Sequence, residues 1–300
     1  MIPGLTWKAN GQSVLYGPLL ELAERLDGRF LALASQWGAA DHRFPSFLSA
    51  SVLERIDWFR SFPQLATFPA CLDDNETNLA RFTDGQPVDA GGAIHPTDLA
   101  PIRDVLTPAA CYHLYDHCAG QRFDAPRYFT TRNTCFRREV EYVPLERQWS
   151  FSMREIVCMG TAEETKAFLE GAVAEIDRFV AGFALPLKWE QASDPFFRPS
   201  KNPAYLMQQV DPTKFELMFD DRLAIASTNL HHDHFGRAFD IERNGEPVRT
   251  ACVAFGIERW LAAIVGHFGP EGPYPLGRGA PYPLGRGAPY PLGRGAPWPS

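Results

Sequence analysis

Between Thr161 and Phe183 apolar residues recur at three- and four-residue intervals. Phe168, Leu169, Ala172, Val173, Ile176, Phe179 and Val180 fall on one side of a 3.6-residue turn. Thr161 and Glu164 stand three apart just ahead of that stripe and form a capping box, each side chain accepting the other's backbone N–H. The spacing predicts a helix over 162–183. Leu19, Leu20, Leu22, Ala23 and Leu26 predict another over 16–37, with Gly28 a point of interruption. Leu106, Ala110, Cys111, Leu114 and Tyr115 predict a third over 101–118, and the apolar run from Ala251 predicts a last helix over 251–268, stopped by Gly269 and Pro270.

Elsewhere the pattern is that of strands. Segments 128–142 and 148–160 flank a turn at 143–147 and predict a long antiparallel hairpin whose charges share one face. Segments 214–219 and 222–228, joined at Asp220 and Asp221, predict a second hairpin. Strands grouped in the middle, with helices before, between and after them, predict an α+β fold: an antiparallel sheet flanked by helices.

The last part of the chain departs from this pattern. PYPLGRGA occurs three times in tandem at 273–280, 281–288 and 289–296, and Gly and Pro supply 17 of the 32 residues in 269–300. So little apolar surface cannot offset the entropy of ordering. The expected organisation is a catalytic domain over 1–268 and a disordered Pro/Gly-rich tail over 269–300.

Composition narrows the function classes. The 300-residue chain is 45% hydrophobic, enough for a large core, and carries a net charge of −7, which argues against a sequence-independent nucleic-acid binder. No apolar run is long enough to cross a membrane, and 1–12 lacks the basic-then-apolar pattern of a secretory leader, so a cytoplasmic protein is expected. Six scattered cysteines without a CxxC argue against a disulfide framework. Neither GxGxxG nor GxxxxGK(S/T) is present. His231, His232 and His234 are a weak metal signal, expected in a polar loop.

The chemistry concentrates in the first hairpin. Phe136, Arg137, Arg138 and Glu139 resemble the FRxE of the second signature motif of class II aminoacyl-tRNA synthetases. Arg147 and Phe151 match its RxxxF half, and Gly256, Ile257, Glu258 and Arg259 resemble the GxER of the third motif. His42, Arg43, Phe44 and Pro45 resemble a degenerate first motif, the dimer element. The order and spacing of the three elements make the resemblance specific. It implies a homodimer that binds ATP in a bent form. Arg137 would meet the α-phosphate and Arg259 the γ-phosphate, with Arg147 also facing phosphate. Phe151 would stack on adenine, and Glu139 would accept from its amino group. A fixed guanidinium at the α-phosphate is suited to the charge that builds there during attack.

Residues 147–155, RQWSFSMRE, are similar to seryl enzymes, and most similar to the atypical methanogen type and its truncated bacterial homologues, the amino acid:carrier protein ligases. This resemblance implies zinc held by Cys111, Glu155 and Cys252, ligands 44 and 97 residues apart that spacing alone does not reveal. It also implies transfer of an adenylated glycine or alanine to the phosphopantetheine thiol of a carrier protein. A minimal tRNA synthetase, a non-catalytic regulatory homologue and a coenzyme A ligase are the alternatives. The start of the helical pattern near residue 16 leaves no room for a tRNA-binding arm, so tRNA is not expected as a partner. Cys118 and Cys158 are expected in the core, Cys158 on the face of its strand opposite Glu155. The seryl-type acid for ATP-bound magnesium is missing from 223–229, with Glu216, Asp220 or Asp221 as substitutes, and Arg198 and Lys201 are candidates for docking an acidic carrier.

Overall fold

The computed structural model describes residues 2–272 and 274. Its centre is a seven-stranded sheet built from β1 (Ala40–His42), β2 (Arg127–Phe136), β3 (Ser150–Gly160), β4 (Leu187–Gln191), β5 (Lys214–Phe219), β6 (Leu223–His232) and β7 (Arg249–Gly256). The spatial order is β1-β2-β3-β7-β6-β5-β4, antiparallel throughout except for the parallel β1–β2 pair. The helices that frame the sheet and the cavity are α1 (Gly17–Ser35), α2 (Tyr112–His117), α3 (Ala162–Ala181), α4 (Pro203–Val210), α5 (His234–Phe239) and α6 (Ile257–Phe268); further helical segments, Ala50–Arg55 and Glu76–Asp84 among them, lie between α1 and α2. This is the α+β antiparallel-sheet architecture that the strand grouping predicts.

One sheet face is covered by α1, α3 and α6. Leu22, Leu26 and Phe30 from α1, Phe168 and Ile176 from α3, and Trp260 and Ile264 from α6 close on Ile156, Val253 and Phe255. The Thr161–Glu164 capping box forms as the sequence predicts and starts α3 beyond β3. The other face carries a second core of Val157, Met159, Leu114, Tyr115, Phe235 and Phe239, beside which a cavity opens. Contacts with the core run past Phe268, because Tyr274 packs on the first cluster. The repeats lie almost wholly outside the described residues, so the expected disordered tail does too.

Four sequence expectations change. Residues 101–118 are not one helix: Asp104–Leu106 is a strand paired with Phe47–Ser49, and only Tyr112–His117 is helical. Pro108 lacks an N–H and would clash with the preceding turn, so the helical run starts after it. Residues 249–256 are strand β7, not helix. Its apolar run is continuous because both faces are covered, Val253 and Phe255 by the helices and Cys252 by the second core. The first hairpin's arms end at Phe136 and Ser150, and 137–149 leaves the ladder, anchored by Arg137 N–H to Trp149 O at 2.9 Å and Trp149 N–H to Gly11 O at 2.8 Å. The hairpin's charges do not share one face: Arg154 points at α1, where Asp27 receives it, while Glu155 points into the cavity.

Candidate active site

The cavity has a volume of about 800 Å³, and every residue to which the resemblance gives an ATP or zinc contact lines it: Arg137, Glu139, Arg147, Phe151, Arg259, Cys111, Glu155 and Cys252. They come from α6, from the two strands β3 and β7, from the excursion after β2 and from the turn before α2. Nothing in local sequence links them. The topology does, since β3 lies beside β7, and β7 runs directly into α6.

At one end three guanidiniums converge. Arg137 donates from Nε to Pro108 O at 2.8 Å and lies over the Phe151 ring, 5.3 Å from its centroid. Arg259 donates from Nε to Glu146 O at 2.9 Å and from Nη1 to Ala224 O at 3.1 Å. Burial lowers the Arg259 pKa from its usual value, and the nearby charges of Arg137 and Arg147 lower it further, against Glu216 and Glu139. Like charges drawn together this way favour a polyanion. Glu258, the acid of the GxER match, accepts the Ser152 N–H at 3.0 and 2.9 Å and so ties the start of α6 to β3. Burial pushes its pKa up to about 7.

At the other end two thiols meet a carboxylate. Glu155 Oε1 accepts the Ala110 and Cys111 N–H groups at 2.9 and 3.1 Å, so the turn after Pro108 wraps around it. The Cys111 and Cys252 thiols share a hydrogen bond, which with burial and the Glu155 charge pushes the Cys111 pKa well above its usual value. Cys252 is raised less: burial acts on it too, but Cys111 and Asn229 donate to its sulfur, Asn229 Nδ2 from 3.4 Å. With the side chains as they stand, no group of three or more His, Cys, Asp or Glu among the described residues is arranged to hold a metal ion. Cys118 and Cys158 are buried in the core, and Cys158 lies on the face of β3 opposite Glu155, as expected.

The structure also sorts the secondary candidates. Glu216 lines the cavity, whereas Asp220 and Asp221 form the β5–β6 turn with φ of 54° and 52° and do not line it. His231 and His232 belong to β6 and His234 opens α5; all three border the cavity without forming a metal group. Arg198 lies over Phe197, 5.0 Å from the ring centroid, in the loop that precedes α4, beside the cavity-lining Phe196, Asn202 and Pro203.

Sequence reasoning missed Lys214 and Asp194. Lys214 Nζ is 2.7 Å from Asp194 Oδ1 and 3.4 Å from Glu216 Oε1, and Gln208 of α4 donates to Asp194 Oδ2 at 3.0 Å. The Lys214 charge holds the Asp194 carboxyl below its usual range in spite of burial. The alternation of Lys214 and Glu216 with Phe215 and Leu217 was the available signal. For Asp194, in an irregular segment, there was none.

With this geometry in hand, the resemblances take on weight. Residues 105–268 match the family described as tRNA synthetase class II core domain (G, H, P, S and T). The chain is 36% identical over 235 residues to amino acid–acyl-carrier-protein ligase 1 of Bradyrhizobium diazoefficiens, covering 74% of this chain and 69% of that one. It is also 36% identical, over 239 residues, to ligase 2 of the same organism, covering 74% and 68%. Among solved structures it is similar to M. kandleri SerRS in complex with A. aeolicus tRNASec, with a TM-score of 0.75, 19% identity and coverage of 90% of this chain and 56% of that one.

Proposed function

The chain belongs to the amino acid–acyl-carrier-protein ligases, enzymes built on the class II tRNA synthetase core, and from that premise we propose that it adenylates glycine or alanine and passes the acyl group to the phosphopantetheine thiol of a carrier protein. The observation that carries this reading is the convergence of eight motif residues on one cavity, arginines at one end and a thiol–carboxylate set at the other.

In the first step an amino-acid carboxylate oxygen attacks the α-phosphorus of ATP, and the bond to the bridging oxygen breaks as pyrophosphate leaves. Arg137 faces the α-phosphate and stabilises the charge that builds there, and Arg259 and Arg147 hold the outer phosphates. Phe151 carries the adenine, and Glu139 accepts from its amino group. ATP arrives with magnesium, for which Glu216 is the proposed protein contact. In the second step the thiol sulfur attacks the acyl carbon, a C–S bond forms, and AMP leaves with the electron pair of the broken C–O bond as the thiol proton is released.

Zinc is proposed at Cys111, Glu155 and Cys252. Two sulfurs and a carboxylate suit it, and a divalent cation would favour the thiolates that burial and the nearby Glu155 charge disfavour. Binding would exchange the Cys111–Cys252 hydrogen bond for metal–sulfur bonds. The ion would supply an open position for the free α-amino group of the substrate.

The carrier is proposed to dock beside the cavity mouth, at Arg198 and Lys201, where Leu206, Met207 and Val210 of α4 are exposed. A homodimer is proposed through the segment at His42–Pro45, where Phe44 stacks on His42 and His113 at 5.8 and 5.3 Å between centroids. Catalysis is proposed in the cytoplasm, where ATP is available and thiols stay reduced; all six cysteines are free. No helix among the described residues is long and apolar enough to cross a membrane.

The test is acceptor competition. Labelled glycine or alanine is offered with ATP to a phosphopantetheinylated carrier, to coenzyme A and to bulk tRNA. Label on the carrier, lost on thioester cleavage, is expected. Label on tRNA alone would replace this reading with that of a minimal tRNA synthetase.

A further inference from the structure

The ladder between β6 and β7 slips once. Leu230 pairs with Ala251 and His232 with Thr250, so His231 is an extra residue on β6. His232, just after it, has φ of 50°, a left-handed conformation uncommon for a residue other than glycine. Such a bulge re-aims a side chain, and bulges gather beside active sites. Without it His231 would face Thr250 squarely; with it the ring lies between Thr250 and Cys252. Nδ1 stands 3.0 Å from Thr250 Oγ1 and 3.5 Å from Tyr115 Oη, and Nε2 stands 3.8 Å from Cys252 Sγ.

These contacts suit one tautomer. Both groups beside Nδ1 are hydroxyls, which donate as well as accept; with one of them donating to Nδ1, the ring proton sits on Nε2. That N–H faces sulfur at a distance suited to an N–H···S bond. The Asn229 amide reaches the same sulfur from 3.4 Å.

We propose that His231 is a positioning residue for Cys252: its Nε2–H, with the Asn229 amide, fixes the direction of the sulfur and leaves its remaining lone pairs toward the cavity. This deepens, and rests on, the zinc reading above. Partners that orient a ligand are worth about 10–100-fold in metal affinity. The bulge acquires a purpose that strand pairing alone does not give it.

The experiment measures zinc affinity by competition with a chromophoric chelator in the full-length wild-type protein and in His231→Phe, His231→Gln and Cys252→Ser, with circular dichroism to check folding. His231→Phe keeps a flat ring without the donor and is expected to bind zinc about 10–100-fold more weakly. His231→Gln restores an N–H and is expected to recover most of that loss, which a role in packing alone would not produce. Nitrogen-15 spectra of the metal-free wild-type protein give a readout independent of any variant, and the Nε2–H tautomer is expected. Zinc bound equally well by wild type and His231→Phe, or an Nδ1–H tautomer, would overturn this proposal alone. No zinc on the wild type, or full binding by Cys252→Ser, would overturn the zinc reading and this proposal with it.

Discussion

Arg154 and Glu155 are neighbours on β3 and have opposite fates. Arg154 is fully buried against α1, where Asp27 takes its Nε and Nη2, Asp41 lies 3.2 Å from Nη1 and Thr130 3.1 Å from it. Its charge is answered from within the protein. On the cavity side, Arg137 and Arg259 rest on carbonyl oxygens of Pro108, Glu146 and Ala224. A carbonyl fixes a guanidinium in place without neutralising it, so its charge is left for a ligand. The kind of partner an arginine keeps thus separates an ion paired within the protein from one left open to a ligand: Arg154 is locked beneath α1, and Arg137 and Arg259 line the cavity.

The largest expected effect falls on the structural side. Arg154→Ala leaves Asp27 buried without its main partner and should cost about 3–5 kcal/mol of stability, read by denaturant unfolding. A wild-type-like midpoint would erase the distinction between the two kinds of arginine. Next, Arg259→Ala should slow amino-acid-dependent pyrophosphate exchange by about 10²–10³-fold with little change in melting temperature. A variant that loses stability but keeps its exchange rate would reverse the assignment.

A smaller effect is specific to pH. Glu258 titrates near 7 when folded, against an ordinary value of 4.5, so the folded protein binds more protons between those values. Its contribution to stability therefore rises as pH falls through about 7 toward 4.5. His113 and His231, lowered to about 4 and about 3, act in the opposite sense below pH 6.5. The difference between wild type and Glu258→Gln isolates the glutamate: relative to the variant, wild type should gain up to a few kcal/mol on acidification across that window. A flat difference would show Glu258 ionised throughout. The smallest effect is expected from removing 276–300, which should leave activation unchanged because a Gly/Pro-rich segment has little apolar surface with which to join a core.

Much of this was legible in the sequence, for physical reasons. The capping box of α3 is a local signal and needs no tertiary context. Arg137, Phe151 and Arg259 could be found because their motifs are short and ordered along the chain. The failures are equally specific. The apolar run at 249–256 looks the same whether it is a strand covered on both faces or a buried helix, and the apolar spacing over 101–118 carries no mark of the break that Pro108 imposes. Arg154 has the same residue type as the cavity-lining arginines, and only its pairing with the buried Asp27 on α1 distinguishes it. The facing of Cys252 by His231 depends on one bulge, which no spacing rule announces.

The central claim is that one cavity joins a phosphate end to a thiol–carboxylate end and activates a small amino acid between them. Its most direct test is ATP–pyrophosphate exchange with each of the twenty amino acids, with and without a zinc chelator. The account predicts exchange with glycine or alanine that the chelator abolishes and added zinc restores. A folded, zinc-loaded protein that catalyses no exchange with any amino acid would contradict it.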